Sequence, residues 1–351
     1  MVLVNLSLNI EEMEKKYHKA LIIGKFQPLH KGHMALIQFA SEHAEEVVVC
    51  LTAHKGEVVP MSLRKKWLDE AYQDNPNVTI KDIAYDANTL TDSSESNISA
   101  SHAWADFLKS YFGDSFRDFD VIVGSERYVQ YMSDYLGLDN LVYDEERTTL
   151  PISATMIKND LFRYWDYLAP AVKRTYVKHV CICGSESTGK TTTAQLLEKD
   201  FNYVTMIPEI GRCLVGKSEL CLQQTLLTIY KIHNELLHAV IADPPTPIIV
   251  WDTDNITTYS YKKFLFPKDN TVFADIPKAD NYFFFESNIT FVDDGTRLAK
   301  QEALELRTHH LSVYKECGVV PELVTNDNRY EIVKSCILEY VEGLKKTFLM
   351  G

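Results

Sequence analysis

Apolar segments of strand length alternate with amphipathic helical segments along most of the chain, and this alternation occurs twice. The first series begins with the strand Ala20–Gly24 and continues through Phe119–Gly124. The second begins with Lys178–Cys183 and continues through Pro247–Trp251. Strands that alternate with helices are typical of a parallel sheet covered by helices on both faces. The sequence therefore predicts an α/β protein with two doubly wound parallel-sheet domains.

Apolar periodicity also places the remaining elements. We predict helices at His33–Glu42, Ser62–Tyr72 (capped by Ser62), Trp104–Tyr111, Lys158–Leu168, Lys190–Lys199, Leu220–Ala242, Gln301–Cys317 and Tyr330–Phe348, and further strands at Glu46–Thr52, Val78–Ile83, Tyr203–Pro208 and Asn281–Glu286. The polar, Ser-rich stretch Asn88–Ser101 is predicted to be a loop. We expect an N-terminal extension at 1–18 and two domains at 19–170 and 171–351. The extension is too short for a DNA-reading helix-turn-helix domain.

Charge and composition exclude several classes of protein. The formal net charge of −13 argues against a generic nucleic-acid binder, whose binding surface should be basic. No apolar run is long enough to span a membrane, and the N-terminus has acidic residues where a signal peptide is basic. The seven cysteines are scattered and lack paired metal-ligand spacing. We therefore expect a cytoplasmic protein with reduced thiols that binds neither nucleic acid nor membrane; a homo-oligomer is left open.

The stretch KFQPLHKGHMALI, residues 25–37, places two histidines where a helix begins after a strand. A helix N-terminus presents unpaired N–H groups and a positive partial charge, which favour phosphate. Gly24 permits a tight turn, and Gly32 leaves no Cβ in the way. His30 and His33 can then donate hydrogen bonds to a polyphosphate, and these donors suit a displacement at phosphorus that releases pyrophosphate. We predict that both histidines are catalytic.

A second phosphate-binding pattern, CGSESTGKTT at residues 183–192, lies between a predicted strand and a predicted helix. It satisfies G-x-x-x-x-G-K-[ST], the P-loop pattern. In such a loop the backbone curls around phosphates, Lys190 reaches the β- and γ-oxygens, and Thr191 holds Mg²⁺. The predicted ATP-binding residues are Gly184, Ser185, Glu186, Ser187, Thr188, Gly189, Lys190, Thr191 and Thr192.

Two carboxylate-bearing segments end strands at the same predicted sheet edge as the P-loop. They are TMIPEIGR, with Glu209 and Arg212, and VWDTDNITT, with Asp252 and Asp254. Phosphoryl transfer to a hydroxyl needs one carboxylate for Mg²⁺ and another to accept a proton. We favour Asp252 for the metal and Glu209 for the proton, although the two roles are interchangeable on sequence grounds.

One further segment, VDDGTR at residues 292–297, offers Arg297 as an arginine that covers the transferring phosphate and thus binds ATP.

The first motif resembles the H-x-G-H signature of the nucleotidyltransferase superfamily, and PISATMIKND at 151–160 resembles that family's I-S-x-T-x-x-R signature. In the family the second segment grips the β- and γ-phosphates of ATP. Ser153 and Thr155 match it, but Lys158 stands where arginine is usual, which keeps the charge and loses the planar fork. The resemblance implies the following ATP-binding residues: Gly24, Lys25, Phe26, His30, His33, Ser153, Thr155 and Lys158.

The order of the two halves, with IPEIGR, WDTDNITT and VDDGTR in sequence, resembles the bifunctional nicotinamide-mononucleotide adenylyltransferase and ribosylnicotinamide kinase family of NadR type. The resemblance implies an N-terminal Rossmann-like nucleotidyltransferase and a C-terminal P-loop kinase. The implied ligands are ATP with Mg²⁺, ribosylnicotinamide, nicotinamide mononucleotide and NAD. Some members carry an additional DNA-binding domain, which this sequence lacks, so we do not expect repressor function.

The resemblance also suggests substrate-binding residues, namely Trp104, Arg147, Arg212 and Asp254. Trp104 suits stacking on a nicotinamide ring, but its spacing with Phe107 and Leu108 suits a core position equally. Two alternative functions remain open at this stage. One is a different adenylyl or cytidylyl transfer fused to another small-molecule kinase; the other is a nucleotide-sensing regulator with one degenerate site.

Overall fold

The computed structural model describes residues 15–91, 97–214, 222–286, 300–325 and 327–349. These residues divide into two compact units. The first unit contains the described residues up to Asn159 together with Tyr167–Ala169, and the second contains Asp160–Asp166 and Pro170–Leu349. The sequence placed the domain boundary after residue 170, which lies in the stretch where the chain passes from one unit to the other.

The first unit is built on a parallel sheet that has, within the described residues, five strands in the order β3-β2-β1-β4-β5. Its elements are β1 (Tyr17–Gly24), α1 (Lys31–His43), β2 (Ala44–Ala53), α2 (Met61–Tyr72), β3 (Val78–Ala84), α3 (Ile98–Phe112), β4 (Val121–Gly124), α4 (Tyr128–Leu136), β5 (Asp139–Val142) and α5 (Ala154–Asn159). The strand order reverses between β1 and β4. Ligands of doubly wound sheets bind beyond the carboxyl ends of the strands at such a reversal.

The second unit has a parallel sheet in the order β10-β9-β6-β8-β7, again five strands among the residues described. Its elements are α6 (Pro170–Tyr176), β6 (Lys178–Gly184), α7 (Lys190–Asp200), β7 (Val204–Ile207), α8 (Ile210–Leu214), α9 (Gln223–Ala242), β8 (Ile248–Asp252), α10 (Asn255–Leu265), β9 (Asn281–Phe285), α11 (Lys300–Glu316), β10 (Glu322–Val324) and α12 (Arg329–Leu349). The central strand β6 leads directly into the P-loop.

The central strands are apolar throughout because helices cover both faces of each sheet. In β6, Val180 and Ile182 join a buried cluster with α7 and α12, whereas Cys181 and Cys183 join another with α9 and α11. Successive side chains of a strand point to opposite faces, so this one strand contributes to both cores. The predicted fold class, two doubly wound parallel-sheet domains, is confirmed.

Two local predictions were wrong. The helix predicted at Lys158–Leu168 is absent from the described structure: α5 ends at Asn159, and a short 3-10 helix follows at Trp165–Tyr167. Asp160 accepts the backbone N–H of Arg163, which closes a single turn there. Ser62 does not cap α2, because the cap position is Pro60 and Ser62 lies inside the helix.

The predicted loop Asn88–Ser101 ends earlier than expected, because its last residues belong to a helix. Helix α3 starts at Ile98, and Asn97 caps it by accepting the N–H of Ala100 at 2.8 Å. Residues 92–96 lie outside the described residues. The sequence analysis also missed several elements, most of them short, namely α4, β5, α5, α6, α8, α10 and β10.

In the part of the chain that the structure describes, none of the helices combines the length and apolarity needed to cross a membrane. The cysteines described, Cys50, Cys181, Cys183, Cys317 and Cys336, are free thiols.

Candidate active sites

His30 is the N-cap of α1 and shapes the first candidate site. Its backbone is extended, and its Nδ1 accepts the N–H groups of Gly32 (3.1 Å) and His33 (3.4 Å). An Nδ1 that accepts leaves the ring proton on Nε2, which is then a donor. A Cβ on Gly32 would lie 3.0 Å from the folded-back His30 ring. The H-x-G-H spacing is thus a capping arrangement that leaves imidazole donors at a helix N-terminus.

His33 stacks on His30, with 3.7 Å between the ring centroids and 22° between the planes. Phe26 packs edge-on against the same ring at 4.9 Å. Burial, followed by the charges of His33 and Arg147, holds the pKa of His30 well below its usual value. Burial, followed by the Arg147 charge, lowers the pKa of His33 to about 4. Both rings are therefore neutral at neutral pH.

Arg147 lies close enough to both histidines for its charge to act on them. It sits in a tight turn with φ +53°, and its guanidinium is 3.3 Å from Glu126. Asp144 holds this turn, because its carboxylate accepts the backbone N–H groups of Thr148, Thr149 and Leu150. The turn therefore brings a cation to the H-x-G-H site, as a phosphate-binding residue requires.

The second signature adjoins the first. A Cβ on Gly32 would lie 3.3 Å from Ile152, the residue before Ser153. The Ser153 hydroxyl accepts the N–H of Met156 at 3.2 Å, so this serine does cap α5. Thr155 is exposed, and Lys158 is half-buried in the last turn of α5. Their contact with triphosphate stays a prediction.

Lys25 and Phe26 form the turn between β1 and His30. The Lys25 ammonium is 3.0 Å from Glu57, and Phe26 is buried with φ +52°. A Cβ on Gly24 would be 3.3 Å from the Phe26 ring, so this glycine allows the ring to fold back over the end of β1.

Trp104 does not face a ligand site in this structure. It is 2% exposed within the core of the first unit, and its Nε1 donates to the Thr91 carbonyl at 3.1 Å. Tyr85 and Phe107 pack edge-on against its ring. Trp104 is therefore a core residue, as its helical spacing with Phe107 and Leu108 suggested. We correct the prediction that it stacks on a nicotinamide ring.

The sequence analysis missed Gly124, at the end of β4. A Cβ there would lie 2.3 Å from Val129 and 2.8 Å from the Tyr128 hydroxyl, which donates to the Ile23 carbonyl at 3.1 Å. Gly124 ends β4, the strand beside β1 at the reversal of strand order. A glycine immediately after the apolar run FDVIV was the signal that could have found it.

Both glycines of the P-loop motif in the second unit have positive φ angles, which favour glycine. Gly184 has φ +118°, and a Cβ there would lie 2.3 Å from the Phe285 carbonyl oxygen of the neighbouring strand β9. Ser187 and Gly189 also have positive φ, at +58° and +85°, and Gly189 precedes α7. Thr188 donates to the Ser185 carbonyl, and Glu186 accepts the Tyr261 hydroxyl. Thr192 is exposed on α7.

Lys190 lies inside this loop, where its ammonium donates to the carbonyls of Gly184 (3.1 Å) and Ser185 (2.8 Å). Burial lowers the pKa of Lys190, while the nearby charges of Glu209 and Asp252 raise it. The three charged side chains predicted to carry phosphoryl transfer are therefore neighbours.

Asp252 and Thr191 form a pair suited to a magnesium ion. The Thr191 hydroxyl donates to Asp252 Oδ2 at 2.6 Å, whereas the buried Oδ1 has no hydrogen-bond partner within the described residues. A carboxylate and a hydroxyl on a P-loop fit Mg²⁺, which usually keeps waters and binds substrate phosphates as well. No group of three or more His, Cys, Asp or Glu side chains among the residues described is arranged to hold a metal, and such a cage is not needed for Mg²⁺.

Glu209 precedes α8 and pairs with Arg212, with 2.7 Å between Oε2 and Nε. The Glu209 side chain is about one-quarter exposed (27%), so a substrate hydroxyl can approach it. The Arg212 charge also lowers the pKa of Lys190, as the smallest of the effects on it.

Asp254 is fully buried, which corrects its prediction as a substrate ligand. It caps α10: its Oδ1 accepts the N–H and hydroxyl of Thr257 (3.0 and 3.2 Å) and the Tyr314 hydroxyl (2.5 Å). Burial raises the pKa of Asp254 to about 6, against the opposing effect of these hydrogen bonds. Of the two aspartates in VWDTDNITT, Asp252 therefore lies at the candidate site, whereas Asp254 caps a helix. Arg297 lies outside the described residues.

Comparison with known families assigns the two halves separately. Residues 21–160 match a cytidylyltransferase-like family model, and residues 179–329 match an AAA domain model. The first range contains both nucleotidyltransferase signatures, and the second contains the P-loop with both carboxylate segments.

Curated relatives extend across both halves. The trifunctional NAD biosynthesis/regulator protein NadR of Escherichia coli is 28% identical over 319 residues, covering 83% of this chain and 74% of that protein. The Salmonella typhimurium protein of the same name is 27% identical over 317 residues, with the same coverage. The chain is similar to NadR-type proteins over most of its length.

Solved NadR structures have the same fold. A NadR protein in complex with NAD and AMP-PNP matches with a TM-score of 0.51 and 19% identity over 93% of this chain and 96% of that chain. A NadR protein in complex with NR matches with a TM-score of 0.52 and 19% identity, covering 93% and 97%. The NadR relationship and the two domains support transferase activity, with a nucleotidyltransferase-like and a kinase-like half.

Proposed function

We propose that this protein is a bifunctional enzyme of NAD biosynthesis and salvage. The second unit phosphorylates ribosylnicotinamide with ATP, and the first unit adenylylates nicotinamide mononucleotide with a second ATP to give NAD and pyrophosphate. The observation that carries the proposal is the presence, in one chain, of neutral stacked imidazoles at a helix N-terminus and a P-loop with a Thr191–Asp252 pair. The NadR relatives support the choice of substrates.

In the first unit, the chain supplies donors and cations rather than a nucleophile. A phosphate oxygen of the mononucleotide attacks the α-phosphorus of ATP, and the bond from that phosphorus to the bridging oxygen of pyrophosphate breaks. His30 and His33 donate hydrogen bonds to the oxygens on which charge grows. Arg147 and Lys25 add positive charge beside them. We assign Ser153, Thr155 and Lys158 to the β- and γ-phosphates.

In the second unit, the 5′-hydroxyl oxygen of ribosylnicotinamide attacks the γ-phosphorus, and ADP leaves. Glu209 accepts the hydroxyl proton, and Arg212 orients this carboxylate through their ion pair. The Lys190 ammonium, held at the loop by two carbonyls, meets the β- and γ-oxygens. Thr191 and Asp252 would hold Mg²⁺, which neutralises phosphate charge when bound. Arg297 is assigned to ATP as in the family pattern.

Four expectations about the protein's setting stay predictions. They are a cytoplasmic location, no binding of nucleic acid, no association with membranes, and the possibility of a homo-oligomer.

The test is to incubate the purified protein with ribosylnicotinamide, ATP and Mg²⁺ and to quantify nicotinamide mononucleotide, NAD, ADP and pyrophosphate. We expect the mononucleotide to appear first and NAD to follow. A parallel reaction supplied with the mononucleotide tests the first unit alone. The proposal is wrong if neither reaction gives product, or if related nucleosides and pantetheine phosphate are used and the nicotinamide substrates are not.

A further inference from the structure

Arg64, in the first turn of α2, is completely buried at the edge of the first site. Its Nη1 donates to the carbonyl of Lys25 at 2.8 Å and to that of Thr52 at 3.3 Å. The Thr52 hydroxyl in turn donates to the Gly24 carbonyl at 3.3 Å. One guanidinium therefore ties the carboxyl end of β1 to that of β2, at the edge of the sheet where nucleotides bind.

Glu57 gives this guanidinium its counter-charge and also contacts Lys25. Its carboxylate pairs with Arg64 Nη2 and lies 3.0 Å from the Lys25 ammonium, while its side chain is only 6% exposed. Buried charges are costly unless they are paired and hydrogen-bonded. The three charges are therefore paired, and Lys25 is held twice: Arg64 donates to its backbone carbonyl, and Glu57 pairs with its ammonium.

Lys25 is the first residue of the turn that leads from β1 to the two histidines. The next residue, Phe26, has φ +52° and packs against His33. A non-glycine residue at positive φ is held only when its surroundings determine it. A lysine ammonium has three donors, so it can serve a carboxylate and a phosphate together.

We propose that Arg64 and Glu57 are positioning residues for the nucleotide site of the first unit: they hold Lys25 where it meets the phosphates of ATP, without contacting ATP themselves. Arg64 is too deeply buried for a direct contact, since its exposed fraction is 0%. The inference rests on the proposed adenylyltransferase function and adds two residues that neither signature contains.

Arg64→Lys is the first test, because it keeps the charge opposite Glu57 but cannot bridge two carbonyls and a carboxylate at once. With nicotinamide mononucleotide supplied, we expect KM for ATP to rise and kcat/KM for ATP to fall at least about tenfold, the scale of one charge-assisted hydrogen bond. Kinase activity in the second unit should stay at the wild-type level. The matched control is Lys65→Met, next on the same helix, whose exposed pair with Asp69 lies outside this network.

A double-mutant cycle separates positioning from simple stabilisation. Glu57→Asp keeps the charge and withdraws the carboxylate by one methylene. We expect it to raise KM for ATP in the wild-type background and to have little further effect in a Lys25→Met background, because the side chain that it positions is gone. Additive effects, or variants that lower the melting temperature while KM for ATP is unchanged, would overturn the proposal. If Arg64→Lys does not fold, the Glu57→Asp cycle decides.

Failure of the proposed function gives a different result. If the wild-type protein makes no NAD from the mononucleotide and ATP, the substrate assignment is wrong. The cycle is then measured as binding of α,β-methylene-ATP in a Lys190→Ala background, where the second site is disabled. Weaker binding in Arg64→Lys and Glu57→Asp supports the positioning role without reference to the acceptor, and wild-type binding in both overturns it.

Discussion

At the residue scale, single side chains in both sites perform a structural and a chemical task together. His30 caps α1 through Nδ1, and this leaves its Nε2 proton for a ligand. Lys190 closes its own loop through two carbonyls at the proposed phosphate site. Asp254, in contrast, has only a structural task, because a carboxylate that is fully buried in a helix cap cannot also reach a substrate.

We expect Lys158 to act through its charge. Lys158→Ala should lower kcat/KM for ATP in NAD formation by more than about tenfold, whereas Lys158→Arg should keep or improve it, since a charge-assisted contact is worth about 1.5–3 kcal/mol. The measurement is initial rate against ATP concentration with mononucleotide supplied. Unchanged ATP dependence in the alanine variant would place Lys158 on the solvated surface.

Glu209 and Asp252 should differ in their response to magnesium. Glu209→Gln should reduce kinase turnover by at least about a hundredfold with near-normal ATP·Mg²⁺ binding, because it removes only the proton acceptor. Asp252→Asn should also raise the Mg²⁺ requirement. Kinase rates across Mg²⁺ and ATP concentrations, with binding measured in parallel, distinguish the two. Exchanged phenotypes would mean exchanged roles; a Glu209→Gln variant that keeps most of its turnover would exclude this residue as the base.

The neutral His33 should make stability depend on pH. Its pKa is about 4 in the folded protein against 6.5 ordinarily, so the unfolded chain binds the proton first as pH falls. The free energy of unfolding should therefore decrease between about pH 6.5 and pH 4, and His33→Gln should reduce this decrease. Denaturant unfolding of the wild-type and His33→Gln proteins at several pH values measures how the free energy of unfolding changes with pH. NMR titration measures the pKa of the His33 ring directly. A ring that titrates near pH 6.5 would contradict the assignment.

At the element scale, both sites occur where a central strand turns into a helix. Strand β1 leads to α1 through Phe26, and β6 leads to α7 through Gly184 and Gly189. The two turns differ: the first combines one residue at positive φ with a histidine cap and packed rings, whereas the second has three residues at positive φ and no side-chain cap. In each case helix N–H groups face the carboxyl edge of the sheet, where anions bind favourably.

Gly184 should tolerate no side chain. Gly184→Ala places a Cβ 2.3 Å from the Phe285 carbonyl oxygen at a φ of +118°, so we expect loss of kinase activity and a lower melting temperature. The matched control is Gly343→Ala on α12, where a Cβ would meet nothing within 4 Å. This control should be neutral or stabilising by up to about 1 kcal/mol. Wild-type kinase activity in Gly184→Ala would show that the loop can adopt another backbone.

At the scale of the whole molecule, each unit has its own sheet, its own core and its own candidate phosphate site at a helix N-terminus. The buried clusters that describe the two cores share no residue. Two nucleotide-dependent steps in one chain therefore need not share a site, and their activities should respond independently to mutation.

Lys190→Ala should abolish phosphorylation of ribosylnicotinamide and leave NAD formation from supplied mononucleotide intact. His33→Ala should have the opposite effect, because its donor lies in the first unit. Both activities are measured on the same purified variant, so each serves as the folding control for the other. Loss of both activities in either variant, when soluble and folded, would refute this division of labour.

Features that depend on local chemistry and on long periodic segments are visible in the amino-acid sequence alone. The strands around Ala20–Gly24 and Lys178–Cys183 are apolar because both faces are covered, and their pattern is visible without a structure. The H-x-G-H and P-loop patterns likewise place the groups predicted to bind phosphate within ten residues of chain. Short elements such as β5 and α8 escaped detection because a few residues show no period.

Side-chain burial and contact partners depend on segments that are distant in the sequence, so they became visible only in the folded structure. Asp252 and Asp254 look alike in the sequence, but Thr191 from α7 meets the first and Tyr314 from α11 meets the second. Trp104 has the chemistry of a stacking residue, yet its neighbours Tyr85 and Thr91 place it in the core. Burial and partner identity are set by the packing of remote segments, and a local pattern carries no information about them.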